Sequence, residues 1–360
     1  MSATIKAREP GIVAPAIRDL DELGAALTAW LGKQMPQARD VAIQNLDYPR
    51  GAGMSHETIL FDASWIEDGV PRSRGMVVRI KPLRNTVFLD DLFDRQYQIM
   101  QLMHDTGLVR VAEPLWFEED AALLGAAFFV MEKKAGRVAV SYPPYSREGW
   151  LVETAPADRR TAWEDSVRQL ALIQHVPLAK AQFLTLPGGP VGFDQESDRW
   201  RRFLDWIDPQ GQQQLLRNSF DRLLAGTPAN RPEGIVWGDA RIGNMMIGPD
   251  FKVAAVMDWE QPSLGGALHD LAWWLVHDHG QTVRQGIPRL DGMGSREETI
   301  ALWSEVSGKS AADIEWYEAF ASFKMECLSV RMTSFREMPS GMAYTAPGTG
   351  ISKVLDEMGL

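Results

Sequence analysis

Residues 236–275 place the tightest constraint on how this 360-residue chain folds, and they read VWGDARIGNMMIGPDFKVAAVMDWEQPSLGGALHDLAWWL. Two short apolar runs of strand type lie in this stretch, at 236–237 and 253–257, and each leads into an aspartate, Asp239 or Asp258. An acidic side chain at the end of an apolar strand stands at the rim of a buried scaffold, where a rigid backbone can direct it at a ligand. Both aspartates are therefore candidate site residues.

Asn244 completes a triplet with these aspartates, because it follows Asp239 by five residues and Asp258 follows Asp239 by nineteen. This spacing is typical of a phosphoryl-transfer site, in which one Asp accepts the proton of a substrate hydroxyl while the Asn and the second Asp hold magnesium. Magnesium is usually held by one or two protein oxygens together with phosphate and water. A lone Asp-x4-Asn also occurs in ordinary turns, so the triplet by itself does not decide the function.

The residues around the triplet are more specific, since they read WGDARIGN at 237–244 and MDWE at 257–260. They resemble the aminoglycoside phosphotransferase-like family of small-molecule kinases, whose catalytic loop usually reads H-G-D-x-x-x-x-N and whose metal loop reads D-W-E. The resemblance extends to Leu264-Gly265 and to HDLAW at 269–273, and it spans residues 40 to 335. Trp237 replaces the usual His, which tells against a particular subfamily more than against activity.

The resemblance implies ATP as the phosphate donor, Mg²⁺ as the metal and a small-molecule hydroxyl as the acceptor. It implies that Asp239 orients the acceptor and takes its proton, and that Asn244 and Asp258 hold the metal. Arg241, two residues after Asp239, is a candidate for steadying the moving phosphoryl group, although an exposed or structural arginine is an equal alternative.

The resemblance also implies an α+β, two-lobed protein-kinase-like fold, with a small N-terminal antiparallel sheet lobe at 1–131 and a larger, mainly helical lobe at 132–360. Hydrophobic periodicity agrees with this division. It predicts a first helix at 17–35, strands at 41–48, 58–66, 75–81 and 126–131, and helices at 89–106, 159–175, 196–207, 212–224, 296–306 and 311–333. Residues 338–350, rich in Pro and Gly, are predicted to be a mobile connector.

A glycine turn between the first two strands contains Gly51, Gly53 and Ser55. It is either a simple hairpin turn or, as the resemblance implies, the flap over the nucleotide, because glycines allow backbone N–H groups to approach phosphates. It does not match the G-x-G-x-x-G fingerprint, since His56 stands at the last position and no helix follows.

A cation on the next strand is needed for the nucleotide phosphates in kinase-like folds. Alignment of V-V-R with the family places Arg79 there, Lys81 on the same face is the second candidate, and either is alternatively a solvated edge charge. The helix residue that usually pairs with this cation is Glu, but here Gln96 stands in its place and supplies no charge. Glu132 follows a buried strand at the expected hinge between the lobes.

Composition excludes some classes of protein. A net charge of −11 argues against a nucleic-acid partner. The single cysteine, Cys327, excludes an internal disulfide and is expected to be a small buried hydrophobe. No apolar stretch is long enough to cross a bilayer and the first twenty residues lack a signal-peptide core, so we expect a cytoplasmic protein without a membrane partner. The oligomeric state stays open, a homodimer included.

The acceptor is the least constrained part of the prediction. Residues 322–337 mix Lys324, Arg331 and Arg336 with Glu326 and Glu337, unlike the carboxylate-lined pocket that a polycationic antibiotic would need. The chain also resembles the kinase domains attached to some acyl-CoA dehydrogenases, which implies a 4-hydroxyacyl-CoA as the alternative acceptor. The alternative of another class is a pseudokinase, a nucleotide-binding module without turnover.

Overall fold

The structure, a computed structural model, describes residues 18–49, 56–82, 87–141, 143–333 and 347–360. The chain forms two compact units, one made of Met1–Thr86 with Ala112–Ala135, the other of Val87–Val111 with Gly136–Leu360. The predicted N-terminal lobe, 1–131, had included 87–111, which instead cluster with the C-terminal unit. Within the described residues, no helix is long and apolar enough to span a membrane.

Along the chain, the described residues form the following helices and strands. They are α1 Leu20–Gln34, β1 Arg39–Asp47, β2 Glu57–Glu67, β3 Val70–Ile80, α2 Phe93–Thr106, β4 Pro114–Glu118, α3 Ala121–Leu124, β5 Phe128–Glu132, α4 Trp150–Glu153, α5 Pro156–Leu172, α6 Phe193–Ile207, α7 Gln214–Ala225, β6 Met245–Ile247, β7 Val253–Val256, α8 Leu268–Gln281, α9 Arg296–Ser307, α10 Ile314–Thr333 and α11 Thr349–Met358.

The N-terminal unit is built on a five-stranded antiparallel sheet with strand order β1-β2-β3-β5-β4. Asp68 and Gly69 connect β2 to β3 with φ angles of 51° and 75°, the left-handed backbone that a tight hairpin turn requires. Helix α1 begins at Asp19, whose carboxylate accepts the N–H groups of Asp21 and Glu22. Its apolar face, Leu23, Leu27, Trp30 and Leu31, joins the buried residues of the sheet in one core.

The C-terminal unit is mainly helical and contains the short β6–β7 hairpin. Helix α8 lies in its core, since its first eight residues are all buried, and it packs against α10. Helix α9 begins with a capping box between Ser295 and Glu298 and ends at Gly308, which has a φ of 69°. Cys327 of α10 is buried as predicted, and burial raises the pKa of its thiol well above the usual value.

Most predicted elements are confirmed, with several differences. The run at Val236 is no strand but a single bridge to Ser263, because Gly238 turns the backbone away with a φ of 109°. Helix α2 begins at Phe93, four residues after the predicted start at 89. Strands β4 and β6 and helices α3, α4, α8 and α11 were not predicted. Residues 349–350 of the predicted connector begin α11, and residues 338–346 lie outside the described residues.

Candidate active site

Asp270 of α8 fixes the backbone of the loop that carries Asp239. The Asp270 carboxylate accepts the N–H groups of Trp237 and Gly238 at 2.5 and 2.9 Å. Burial raises the pKa of Asp270 to about 6, although these two hydrogen bonds lower it. A side chain at Gly238 would place its Cβ 2.7 Å from the Cβ and the carbonyl oxygen of Gln261, so only glycine fits this turn. The direction in which the chain enters Asp239 is therefore fixed.

Three side chains hold the carboxylate of Asp239. Its Oδ2 accepts a hydrogen bond from Nε of Arg241 at 2.9 Å and one from Nδ2 of Asn244 at 2.6 Å. Its Oδ1 accepts the indole N–H of Trp273 at 2.9 Å. Burial raises the pKa of Asp239, but the charge and the hydrogen bond of Arg241 outweigh it, so the pKa lies below the usual value. Asp239 is thus an ionised, oriented acceptor of hydrogen bonds at neutral pH.

The β6–β7 hairpin brings Asn244 and Asp258 together, as the spacing predicted. Met245 pairs with Val256, and the carbonyl of Asn244 accepts the N–H of Met257 at 2.8 Å. The indole N–H of Trp237 donates to the carbonyl of Met257 at 2.8 Å and links the loop that carries Asp239 to the segment that carries Asp258. Asp258 itself has a φ of 61°, a left-handed conformation that is uncommon for a residue other than glycine and is often found at functional sites.

Asn244 and Asp258 fit the metal that the sequence implies. Asp258 offers a carboxylate, and Asn244 offers a carbonyl oxygen because its NH₂ group donates to the carboxylate and the carbonyl of Asp239. Both are the hard oxygen ligands that Mg²⁺ prefers. No group of three or more His, Cys, Asp or Glu that could hold a metal occurs in the described part of the chain. This donor set suits an ion whose coordination is completed by phosphate and water.

Several residues of this site were not predicted from the sequence. Ser141 accepts a hydrogen bond from Nη1 of Arg241 at 2.8 Å, so the Arg241 guanidinium joins Asp239 to Ser141. His277 lies one helical turn after Trp273, and burial lowers its pKa to about 4 although the charge of Asp239 opposes this. Asp270 and Trp273 stand within the HDLAW segment that the family resemblance covered, but nothing in the residue pattern indicated their contacts.

The predicted phosphate-binding residues are spread over both units. Arg79 is 7% exposed in β3, pairs across the sheet with Thr58 and Phe129, and has its Nη2 3.3 Å from Nδ1 of His56. Lys81 lies just after the end of β3 rather than within it, and is half-buried.

The remaining predicted residues are placed only in part. Glu132 ends β5 and forms an ion pair with Lys134 at 2.8 Å. Gln96 is fully buried in α2 of the C-terminal unit, and neither of its side-chain amide atoms has a hydrogen-bond partner among the described residues. Gly51, Gly53 and Ser55 lie outside the described residues.

Comparison with known proteins identifies the family of this chain. Residues 57–305 match the model of the phosphotransferase enzyme family. A curated relative from Arabidopsis thaliana, named "Probable acyl-CoA dehydrogenase IBR3", is 26% identical over 296 residues, which is 76% of this chain and 34% of the relative. This chain therefore spans about a third of the length of that relative.

Two solved structures show the same fold. A Ralstonia eutropha protein assigned as an aminoglycoside phosphotransferase has a TM-score of 0.64 and 24% identity, covering 93% of this chain and 95% of its own. The amicoumacin kinase hAmiN, solved with AMP-PNP, Ca²⁺ and its substrate, has a TM-score of 0.55 and 12% identity, covering 94% and 95%. The fold is kinase-like, and the chain belongs to the phosphotransferase enzyme family.

Proposed function

We propose that this chain is an ATP-dependent phosphotransferase that moves the γ-phosphate of ATP to a hydroxyl group of a small molecule. The observation that carries this proposal is the carboxylate of Asp239, held by Arg241, Asn244 and Trp273 directly beside the hairpin that bears Asp258. Phosphoryl transfer consists largely of positioning and charge stabilisation, and this loop supplies both.

In the proposed reaction the acceptor oxygen forms a bond to the γ-phosphorus while the bond from that phosphorus to the bridging oxygen of ADP breaks. Asp239 accepts a hydrogen bond from the acceptor hydroxyl, orients it and takes its proton as the new bond forms. A carboxylate with a pKa below its usual value suits this role, because it is ionised at neutral pH. Arg241 stands beside Asp239 and is the candidate for steadying the transferred group.

Asn244 and Asp258 are the proposed ligands of Mg²⁺. The ion, when bound, would neutralise negative charge on the phosphates. What the chain itself supplies is the spacing of the two ligands, which the β6–β7 pairing and the hydrogen bond from Met257 to Asn244 fix.

A small pocket lies beside the loop. The pocket lies in the C-terminal unit and is lined by Phe88, Leu89, Asp90, Arg199, Trp200, Phe203 and Gln261. Gln261 packs against Gly238, the residue before Asp239. The Asp90 carboxylate is compensated by Arg202, whose Nη1 and Nη2 donate to it at 2.6 and 3.0 Å. The pocket has a volume of only about 10 Å³, room for about one water molecule, so it does not itself hold an acceptor. Its compensated carboxylate offers no free negative charge to a polycation, which supports an uncharged alcohol.

A 4-hydroxyacyl-CoA is the more specific candidate for such an alcohol. The relative named as an acyl-CoA dehydrogenase supports it, although this chain spans only 34% of that relative. The aminoglycosides that bind related folds are the competing class, and their positive charge calls for uncompensated carboxylates.

The test is a screen of ADP formation from Mg-ATP in the presence of aminoglycosides, macrolides, hydroxyacyl-CoAs and simple alcohols. We expect turnover that depends on the acceptor and is fastest with an uncharged or acyl-bearing alcohol. Binding of Mg-ATP without turnover for any acceptor would identify a pseudokinase and overturn the proposal. The matched control is Trp274→Phe, a change at a buried residue of α8 outside the loop.

A further inference from the structure

Trp273 of α8 contacts the proposed base although it lies outside the catalytic and metal loops. Its indole N–H donates to Oδ1 of Asp239 at 2.9 Å, and the Trp273 side chain is 6% exposed. An indole has only this one donor, and it is directed at the carboxylate rather than at a backbone carbonyl. Among the indoles around the loop the contrast is clear, because Trp237 and Trp259 both donate to backbone carbonyls.

The pattern of hydrogen bonds leaves a defined position on Asp239 for a ligand. Each carboxylate oxygen can accept about two hydrogen bonds. Among the described residues, Oδ2 already accepts two, from Arg241 and Asn244, whereas Oδ1 accepts one, from Trp273. The acceptor hydroxyl would therefore reach Oδ1, next to the hydrogen bond that Trp273 makes. The hydrogen bond from Trp273 thereby fixes the direction in which the remaining lone pair of Oδ1 points.

The ring of Trp273 is itself held by a buried cation. Nζ of Lys324, a residue that is 2% exposed, lies 5.2 Å from the centroid of the Trp273 ring. Lys324 is held in turn by Glu196, whose Oε2 is 3.6 Å from Nζ. Contacts of a desolvated ammonium with an aromatic ring within about 6 Å are attractive. Burial of the Trp273 ring and its contact with Lys324 both oppose movement of the indole away from Asp239.

The other charged groups around this arrangement are accounted for. Arg241 and His277 lie beside Asp239. Arg199, Asp270 and His269 lie around the Lys324–Glu196 pair, and Arg199 also donates to the backbone carbonyls of Gln261 and Pro262. Of the neighbours on α8, Trp273 alone donates a hydrogen bond to the Asp239 carboxylate within the described residues.

We propose that Trp273 is a positioning residue for phosphoryl transfer, whose indole N–H orients the Asp239 carboxylate so that Oδ1 receives the acceptor hydroxyl. This inference rests on the proposed function. It goes beyond it by assigning the catalytic geometry to a residue of α8, 34 positions away from the base in the sequence. Small errors in the position of a catalytic group cost large factors in rate, so the effect belongs to turnover and not to nucleotide binding.

The test is a double-mutant cycle of Trp273→Phe and Asp239→Asn, with Trp274→Phe as the matched control. Phe keeps an aromatic ring near Lys324 and removes the donor, but it is also smaller than an indole, and Trp274→Phe controls for that loss of volume and packing. We expect Trp273→Phe to lower kcat about 10- to 100-fold while KM for Mg-ATP changes less than about 3-fold, because a hydrogen bond to a charged group is lost. In the Asp239→Asn background the same change should have almost no further effect on kcat.

Several outcomes would overturn the inference. A folded Trp273→Phe variant with wild-type kcat would do so, and so would an equal loss of kcat in both backgrounds, which a purely structural role predicts. A wild-type protein that turns over no acceptor overturns the proposed function, and this inference with it. An active wild type with an unaffected Trp273→Phe variant overturns this inference alone.

An NMR measurement decides the matter if Trp273→Phe fails to fold. The assigned indole ¹H–¹⁵N resonance of Trp273 is compared between the wild type and Asp239→Asn. We expect an upfield shift of the indole proton in the variant, since the charged acceptor is replaced by a neutral one. A resonance that does not move would contradict the hydrogen bond and overturn the inference.

Discussion

The catalytic loop and strand β3 place functional side chains in opposite ways. In the loop, Asp239 receives hydrogen bonds from residues two, five and 34 positions away, all within the C-terminal unit. For β3, the two candidates for the phosphate cation, Arg79 and Lys81, lie in the N-terminal unit, whereas Gln96, the neutral residue predicted to pair with that cation, lies in the C-terminal unit. The loop is thus organised by contacts inside one unit. Changes at Asp239 and at its donor Trp273 should act on turnover. Changes at the proposed metal ligands should act on Mg-ATP affinity, and changes in β3 should act on nucleotide affinity.

The largest effect is expected at Asp239. Asp239→Asn keeps the shape of the side chain but removes the charge that orients the acceptor and takes its proton, so kcat should fall about 10²- to 10⁴-fold with folding intact. Steady-state kinetics with thermal unfolding as the control measure this. Wild-type turnover in a folded variant would remove Asp239 from the mechanism.

The second largest effect is expected at the proposed metal ligands. Asp258 offers a charged oxygen and Asn244 a neutral one, so Asp258→Ala should weaken Mg-ATP binding more severely than Asn244→Ala, by about tenfold or more. Calorimetric titration of Mg-ATP into both variants provides the measurement. Unchanged affinity in Asp258→Ala would contradict the assignment.

The buried imidazole of His269 in α8 predicts that the stability of the protein depends on pH. His269 of α8 is 2% exposed, and burial with the nearby charge of Lys324 lowers its pKa to about 3, although Glu196 opposes this. The unfolded chain therefore binds a proton at His269 that the folded chain does not, and stability is lost as the pH falls from about 6.5 towards about 3. At pH 5 this loss amounts to about 2 kcal/mol.

The variant that tests this effect is His269→Phe, because the ring packs against Tyr317 and Phe320 at 5.1 and 5.4 Å between centroids. Urea unfolding at pH 7 and pH 5 should show that the variant loses less stability than the wild type. An identical difference between the two pH values in both proteins would show that His269 is not the titrating group.

On the strand side, Arg79→Ala should weaken ATP affinity by about tenfold and Lys81→Ala by less. Arg79 lies inside β3 and is buried, whereas Lys81 follows the end of the strand. An arginine contact to phosphate is a strong, charge-assisted interaction. A larger loss in Lys81→Ala would transfer the role to Lys81, and no loss in either variant would refute the strand assignment.

The smallest effect is expected for Gln96→Glu. The change restores the charge that the family usually has at this position, so ATP affinity should be unchanged or rise by a few-fold. Gln96 is fully buried, so thermal unfolding is the necessary control. A large loss of affinity at unchanged stability would show that a neutral amide is required there.

The two regions also differ in how far the sequence predicted them. The spacing of Asp239, Asn244 and Asp258 is local, because one short hairpin joins them, and the structure brings them together as expected. The contacts of Trp273, Ser141 and Asp270 with the loop depend on how α8 and the segment around 141 pack, which no local pattern encodes. Strand alternation in the sequence places Arg79 and Lys81 on one face, so the sequence pattern does not decide which of them contacts the nucleotide phosphates.

The central claim is that the γ-phosphoryl group of ATP is transferred to an alcohol. The most direct measurement is ³¹P NMR of the wild-type protein with Mg-ATP and the fastest acceptor of the screen, alongside Asp239→Asn under the same conditions. The account predicts a new phosphate monoester resonance that grows in step with ADP in the wild type and is absent from the variant over the same time. Formation of inorganic phosphate alone, or equal ester formation in Asp239→Asn, would contradict it.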